Sequence, residues 1–382
     1  MIKNWLTTIL SAAVLIGVTT ALYLYTAGYR VNKEKTGIDL TQTGMIGAKS
    51  IPEGAKVYVD GSLYTATNDT IASVSPGTHN LRMIKNGFVT WTKNIEVFPE
   101  LVTDITAILI SQSPRLEPLT NTGARLPTIS PSLTKLAYFT KDGTSPGVWV
   151  IPFTNIGVSL FKSTPNVVLA DTAYEFYSDG TSIEWSSDET KLLVTDAQEN
   201  HYIVSLGDEV AEATSSPQLL RDSWTAEITK KRTDFIEKLD VPEKLVEIAV
   251  DPKTLWAPDD KKFLYTMTND DRIEYKVYNL EKPLPIGEKV ETTVFTTKIS
   301  DVQPKISWYS DSFHLILTEN YNDTEKKGTI SLIRIDGTNK TEVYNNTLYS
   351  DAVYSAPGGE KLIMLTSLKS SGQVDLYTVG IR

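Results

Sequence analysis

One octapeptide, written five times, limits what this chain can fold into more than any other feature. The copies read ISPSLTKL from 129, WSSDETKL from 185, WAPDDKKF from 256, WYSDSFHL from 308 and SAPGGEKL from 355. Each leads into a β-prone run (AYFT, LVT, LYTMT, ILT, IMLTS) and, after a polar turn, into a second one (GVWVIPF, HYIVSL, IEYKVYNL, TISLIRI, VDLYTV). Their β-branched and aromatic residues predict strands. A unit of strand, Ser/Pro/Asp turn, central strand, loop and further strand cannot bury both faces alone, so it must stack on copies of itself. The copies start 56, 71, 52 and 47 residues apart, near the roughly 40–50 of propeller blades. The predicted fold class is all-β, with a β-propeller over 115–382 of five blades, six being the alternative. The last copy ends at VDLYTVGIR with no outer strand after it. The segment 115–120, RLEPLT, is expected to supply that strand and leave no free edge.

The octapeptide resembles the W-S-P-D-G-x-x-[LI] signature of TolB-type, WD40-like propellers. Trp185, Trp256 and Trp308 hold its aromatic position and Asp188, Asp259 and Asp311 its acidic one. The signature glycine is missing after those three aspartates, and the fifth copy carries Gly358-Gly359 but Ser355 at the aromatic place. Recurrence at equivalent places predicts that the tryptophans pack between blades, a sugar-stacking platform being their other use. Trp149 and Trp224 fall outside the octapeptide. The longest spacing holds an insertion, 224–250. WTAEITKKRTDFIEKLD places Ile228, Phe235, Ile236 and Leu239 on one helical stripe, Pro242 interrupts it, and EKLVEIAV follows as a second helix or a strand. Such an insertion is expected to cap a rim or side of the propeller, with partner binding by the helix as a second use.

From Trp5 to Tyr25 the chain runs 21 residues without a charge, enough helix to cross a hydrocarbon core of about 30 Å. Trp5, Tyr23 and Tyr25 sit at its two ends, where amphipathic rings prefer the interface. The run exceeds the apolar core of a cleaved signal, so 5–25 is read as a retained single-pass anchor. Lys3 before it and Arg30, Lys33 and Lys35 after it leave orientation undecided by charge. Residues 26–47 read as a linker, the polar part 26–45 being a short linker or a juxtamembrane strand.

Beyond it, Lys56-Val57-Tyr58-Val59 alternates as a strand does, Asp60-Gly61 is a hairpin turn, and Ser75-Pro76-Gly77 and Asn86-Gly87 mark two further turns. Short strands with tight turns describe a small β-sandwich over 48–110. IPEGAKVYVDG with SPGTHNLRMIKNGF resembles the PEGA domain, matching it at Pro52, Glu53, Gly54, Ala55, Asp60, Gly61, Pro76, Gly77 and Gly87. The chain departs from the family's Gly-x-Thr-Pro segment, reading Tyr64-Thr65-Ala66-Thr67 there. The resemblance implies a structural or binding module of a bacterial envelope protein, with no catalytic residues to carry over.

Motifs of chemistry are scarce. The net charge of −10 argues against nucleic acid and anionic lipid surfaces, and the absence of cysteine excludes disulfides, thiolate metal sites and a Cys nucleophile. The three histidines, His79, His201 and His314, stand in strand and repeat positions. Neither a metalloprotease helix, a nucleophile elbow, a P-loop nor a dinucleotide fingerprint is present. The acidic runs 269–271 and 319–325 lack calcium-loop spacing and read as hairpin tips. The expectation is a non-catalytic envelope protein without cofactor or metal, its bulk outside the cytoplasm, presenting a propeller to a protein, peptide or glycan. Two alternatives stand beside it. One is an envelope enzyme acting on glycan or peptide with acidic residues at the propeller mouth; the other is a cytoplasm-facing assembly or signalling scaffold.

Overall fold

The computed structural model describes residues 2–26, 28–34, 37–141, 143–153, 164–207, 210–369 and 372–382. Two compact units divide them, 1–109 with 283–288 and 110–282 with 289–382.

The first unit opens with helix α1, Ile2–Thr26. Over Thr7–Thr26 it is long and apolar enough to cross a membrane, and none of that span is buried. The stretch read as a linker or juxtamembrane strand carries strands. Tyr29–Glu34 pairs antiparallel with Gly37–Gln42, and the strand Gly44–Ile51 begins before the linker was expected to end. Residues 27, 35 and 36 of that stretch lie outside the described residues.

A two-layer sandwich follows. One sheet orders Asp69–Val74, Gly44–Ile51 and Val102–Ile108, the last pair parallel; the other orders Ser62–Ala66, Lys56–Val59, Gly77–Ile84 and Trp91–Val97. Val57 and Val59 sit opposite Met83 and Leu81, and all four join Ile46, Ile71, Trp91 and Ile95 in one core. Asp60 and Gly61 both take positive φ, 49° and 84°, the conformation a two-residue hairpin between Val59 and Ser62 requires.

The second unit holds five four-stranded antiparallel sheets among the described residues. The first comprises Arg125–Ile129, Lys135–Thr140, Gly147–Pro152 and Asn166–Ala170. Ser182–Trp185, Lys191–Thr195, His201–Ser205 and Val210–Thr214 form the second. The third takes Leu255–Trp256, Lys262–Asn269, Arg272–Asn279 and Glu291–Lys298, and the fourth Lys305–Trp308, His314–Asn322, Lys327–Arg334 and Thr341–Thr347. The fifth assembles Tyr354–Ser355, Lys361–Thr366 and Asp375–Gly380 with Arg115–Pro118, drawn from ahead of the first sheet. The segment expected to complete the last sheet is therefore paired there, Arg115 opposite Gly380.

Every octapeptide forms the same turn between the first two strands of its sheet. The second residue's N–H donates to the seventh residue's carbonyl, and the fifth residue's N–H to the second's, in all five copies. The fifth residue is left-handed each time: Leu133 (φ 61°), Glu189 (58°), Asp260 (54°), Ser312 (60°) and Gly359 (63°). The conformation that the missing glycine would favour is thus retained where the glycine itself is absent.

Between the second and third sheets lie helices α2, Pro217–Ile236, and α3, Glu243–Val250. The first starts seven residues before the predicted insertion, with Pro217 at its opening turn. Ile236, Leu245 and Ala249 share a core with Phe263, Tyr265, Tyr278 and Leu280, so the helices cover one face of the third sheet. Its other face supplies Leu264, Tyr275 and Val277 to a core shared with Trp308, Leu315 and Leu317 of the fourth.

Candidate functional site

The octapeptide residues are the first candidates, and each is held by structure. Trp185 donates its indole N–H to the Thr128 carbonyl of the first sheet at 3.2 Å, and Trp308 donates to the Leu255 carbonyl of the third at 2.9 Å. Trp256 reaches not a strand but helix α3, at the Ala249 carbonyl, 2.9 Å. In the fifth sheet Tyr354, beside Ser355, closes a comparable bond to the Pro127 carbonyl of the first at 2.8 Å. All three indole N–H groups are thus engaged, and Trp308 is buried.

The aspartates brace their own turns. Asp188 accepts from the Ser186 hydroxyl at 2.6 Å and from the Thr190 N–H at 3.0 Å, which lowers its pKa to about 2. Asp259 accepts from the Lys261 N–H at 2.9 Å and pairs with Lys262, whose side chain is wholly buried, at 2.7 Å. Asp311 pairs with His314 at 2.6 Å and accepts the Phe313 and His314 N–H groups. Burial works to raise its pKa, but the His314 charge and these hydrogen bonds outweigh it and hold the carboxyl below its ordinary value.

In the first unit the motif residues are likewise structural. Ala55 is core; Glu53, Gly54, Gly61, Pro76, Gly77 and Gly87 are exposed; Pro52 is half-buried. Thr67, in the segment that departs from the family pattern, binds the Pro-Glu-Gly-Ala stretch through the Ala55 N–H at 3.0 Å and, by its own N–H, the Ala55 carbonyl at 2.8 Å. Asp60 contacts His79 Nδ1 at 2.7 Å and accepts the Asn80 N–H at 2.9 Å; the His79 hydrogen bond leads in lowering its pKa.

A surface that the repeats do not advertise is found at the other end of the sheets. Because the strands are antiparallel, the starts of first strands, the second-to-third hairpins and the ends of fourth strands lie at the end opposite the octapeptides. Outside the helices, nine large apolar side chains of this unit are exposed among the described residues, and seven lie at that end: Leu126, Tyr174, Phe176, Met267, Ile299, Val302 and Leu368. Of the other two, Leu255 adjoins the octapeptide of the third sheet, opposite Leu264, and Val290 is on the octapeptide side. Scattered exposure is ordinary, and concentration at one end makes these residues the candidate surface of the unit.

Its most prominent part is the connection from the first sheet to the second. Tyr174 is 92% and Phe176 59% exposed. The loop that carries them is nonetheless fixed. Asp171 accepts the Ser178 N–H at 2.8 Å and its hydroxyl at 2.6 Å, the Thr172 hydroxyl accepts the Glu175 N–H at 3.0 Å, and Tyr177 is buried edge-on against Tyr202 at 4.9 Å. Rigid presentation of aromatic side chains lowers the ordering cost of binding. The run 172-TAYEFYSDG-180 carries three aromatics in four residues, 174 to 177, the one local signal that could have drawn attention to it.

An open cleft of about 460 Å³ lies at the same end, where α3, the third sheet and the start of the fourth meet, with Lys253, Leu255, Leu264, Tyr275, Lys305 and Ile306 in its lining. Among the described residues no group of three or more His, Cys, Asp or Glu side chains could hold a metal ion. The run 319–325 is a hairpin tip in which Asn322 caps the Thr324 N–H at 2.9 Å and Asp323 pairs with Lys326.

Residues 43–111 match the PEGA domain family. Among curated proteins, none matches the chain. Of solved structures, the chain is similar to TolB from Acinetobacter baumannii, 11% identical with a TM-score of 0.26, over 86% of this chain and 63% of that one. It is similar too to an oligogalacturonate lyase from Vibrio parahaemolyticus (8%, TM-score 0.28, 71% of this chain and 94% of that one). The β-propeller domain of the trilobed protease from Pyrococcus furiosus gives 13% identity and a TM-score of 0.22, over 89% of this chain and 84% of that one. At such identities and scores these are distant likenesses, and no residue or role is transferred from them.

Proposed function

We propose that this protein is a non-catalytic component of a bacterial cell envelope. In this reading α1 is its membrane anchor and the PEGA domain its spacer. The five sheets, with the helical pair between the second and third, close as a five-bladed propeller that binds a protein, peptide or glycan outside the cytoplasm. The observation that carries the proposal is the concentration of exposed apolar side chains, led by Tyr174 and Phe176 on their braced loop, at one end of the sheets. A hydrolase or lyase reading lacks comparable support, because the carboxylates of the repeat are spent on their own turns.

The test is photocrosslinking of the full chain in living cells, with p-benzoylphenylalanine at Tyr174 and, as control, at Val290 on the opposite end. Adducts from position 174 and not 290 are expected; equal labelling, or none from 174, overturns the docking surface. A single cysteine at Ser62, which is exposed in the otherwise cysteine-free chain, reports the compartment. Reaction with an impermeant maleimide in intact cells is expected, and reaction only after lysis refutes an extracytoplasmic placement.

A further inference from the structure

The cleft beside α3 combines two features that rarely meet in so acidic a chain. Its wall is apolar: Leu264 and Tyr275 are buried behind it, Ile306 is half-buried, and Leu255 stays 43% exposed. Two lysines, Lys253 and Lys305, also line it, both exposed, and neither ammonium group has an ion-pair partner among the described residues. Two acids nearby have partners of their own. Asp251 accepts the backbone N–H of Lys253 at 2.8 Å, and Glu291, which binds the Tyr265 phenol, pairs with Lys276 at 2.6 Å. Arg232 adds a third cation close by, fixed to the Thr254 carbonyl at 3.1 Å and lying over the Trp256 ring. In a chain of net charge −10, two lysines without an ion-pair partner over an apolar wall set this cleft apart.

We infer that this cleft binds a carboxylate carried on an apolar body, the lysines taking the carboxylate and the Leu255–Leu264–Ile306 wall the hydrocarbon. Lysine offers mobile point charges suited to a single anionic group, and the volume falls within the range of small-ligand pockets, roughly 300–1,000 Å³. A bare phosphate or sulfate would leave the apolar wall uncovered. Two sources share the chemistry, the C-terminal end of an apolar polypeptide and a free short-chain carboxylic acid. The site shares its end of the sheets with the docking reading but none of the crosslinking residues.

The experiment is calorimetric titration of the full chain in lipid nanodiscs with N-acetyl-Ala-Leu-Phe, its C-terminal amide, and hexanoate. The free acid is expected to bind at least about tenfold more tightly than the amide, as loss of a charged contact predicts. Lys253→Gln combined with Lys305→Gln should erase that difference while leaving the melting temperature unchanged. Hexanoate competing with the tripeptide assigns the site to free acids; hexanoate failing to compete assigns it to chain ends. Acid and amide binding alike, no binding of either, or unchanged binding by the double variant each overturns the inference. A Tyr174→Ser, Phe176→Ser variant run in parallel should bind the tripeptide normally. Crosslinks lost with tripeptide binding intact count against the docking surface alone, and the reverse pattern against this site alone.

Discussion

The junction between the third and fourth sheets and the junction through which the chain enters the third perform one task with different parts. At the former, Trp308 reaches across to the Leu255 carbonyl, Asp259 donates its N–H to the Ser312 hydroxyl at 3.1 Å, and the sheets share a core. At the latter, the equivalent Trp256 reaches the Ala249 carbonyl of α3, and the two neighbouring octapeptide turns are joined through α2, Ser187 to Glu227 and Asp260 to Lys231. What the repeat encodes, therefore, is an indole reaching for whatever carbonyl precedes it. A strand or a helix end serves equally, because the requirement is only a buried acceptor at the right distance.

The two junctions should differ in strength, and truncation is the sharpest way to measure it. Trp308→Ala, removing a buried indole between two sheets, is expected to cost about 3–5 kcal/mol in denaturant unfolding. Trp256→Ala, at a half-exposed indole against the helices, should cost about 2 kcal/mol; equal losses would mean that the helical junction is as tightly packed as a sheet-on-sheet one. Smaller in effect is Arg221→Ala, which removes a bidentate pair between α2 and Glu184 of the second sheet (2.7 Å at the closest). The pair is partly exposed, so about 0.5–1 kcal/mol is expected, read as faster amide exchange over 217–227 with the third sheet unchanged. Exchange rising in the third sheet as well would show that the helices and that sheet open as one unit.

The smallest expected effect concerns acid. Asp188 titrates at about 2 in the folded chain against an ordinary value of 3.8. Its contribution is present above the ordinary value and is lost as pH falls through the folded one. Asp188→Asn should therefore lower stability at neutral pH and flatten the acid limb between pH 4 and pH 2, the variant and the parent chain converging in stronger acid. An unaltered acid limb would show that the turn's hydrogen bonds do not distinguish the carboxylate from its amide.

The repeats and turns were legible because each is a local contract. Asp60-Gly61 adopts the conformation its residues prefer, and the octapeptide's Ser, Pro and Asp supply the caps its backbone needs. Arg115–Pro118 could be assigned from counting strands, since an outer strand was missing from one end of the chain and spare at the other. The hairpin Tyr29–Gln42 was only half legible: Val31 and Ile38 with Leu40 alternate as strands do, but the polar residues between them suit a linker as well as a strand. Which surface the helices cover was not legible, for another reason. Their apolar stripe announces burial but not the surface against which it is buried, and Phe263, Tyr265 and Tyr278 come 24 to 50 residues after it, in strands that alternation alone cannot orient toward a helix rather than a sheet.

By itself the sequence determined the membrane-length helix, the small sandwich, the repeating sheets and the turn that starts each of them, because those rest on contacts within a few dozen residues. Only the tertiary structure decided that Tyr174 and Phe176 stand out on a braced loop, that the exposed apolar side chains gather at one end, and that Lys253 and Lys305 face one cleft. These are properties of where distant segments end up relative to one another, and local propensity carries no term for that distance.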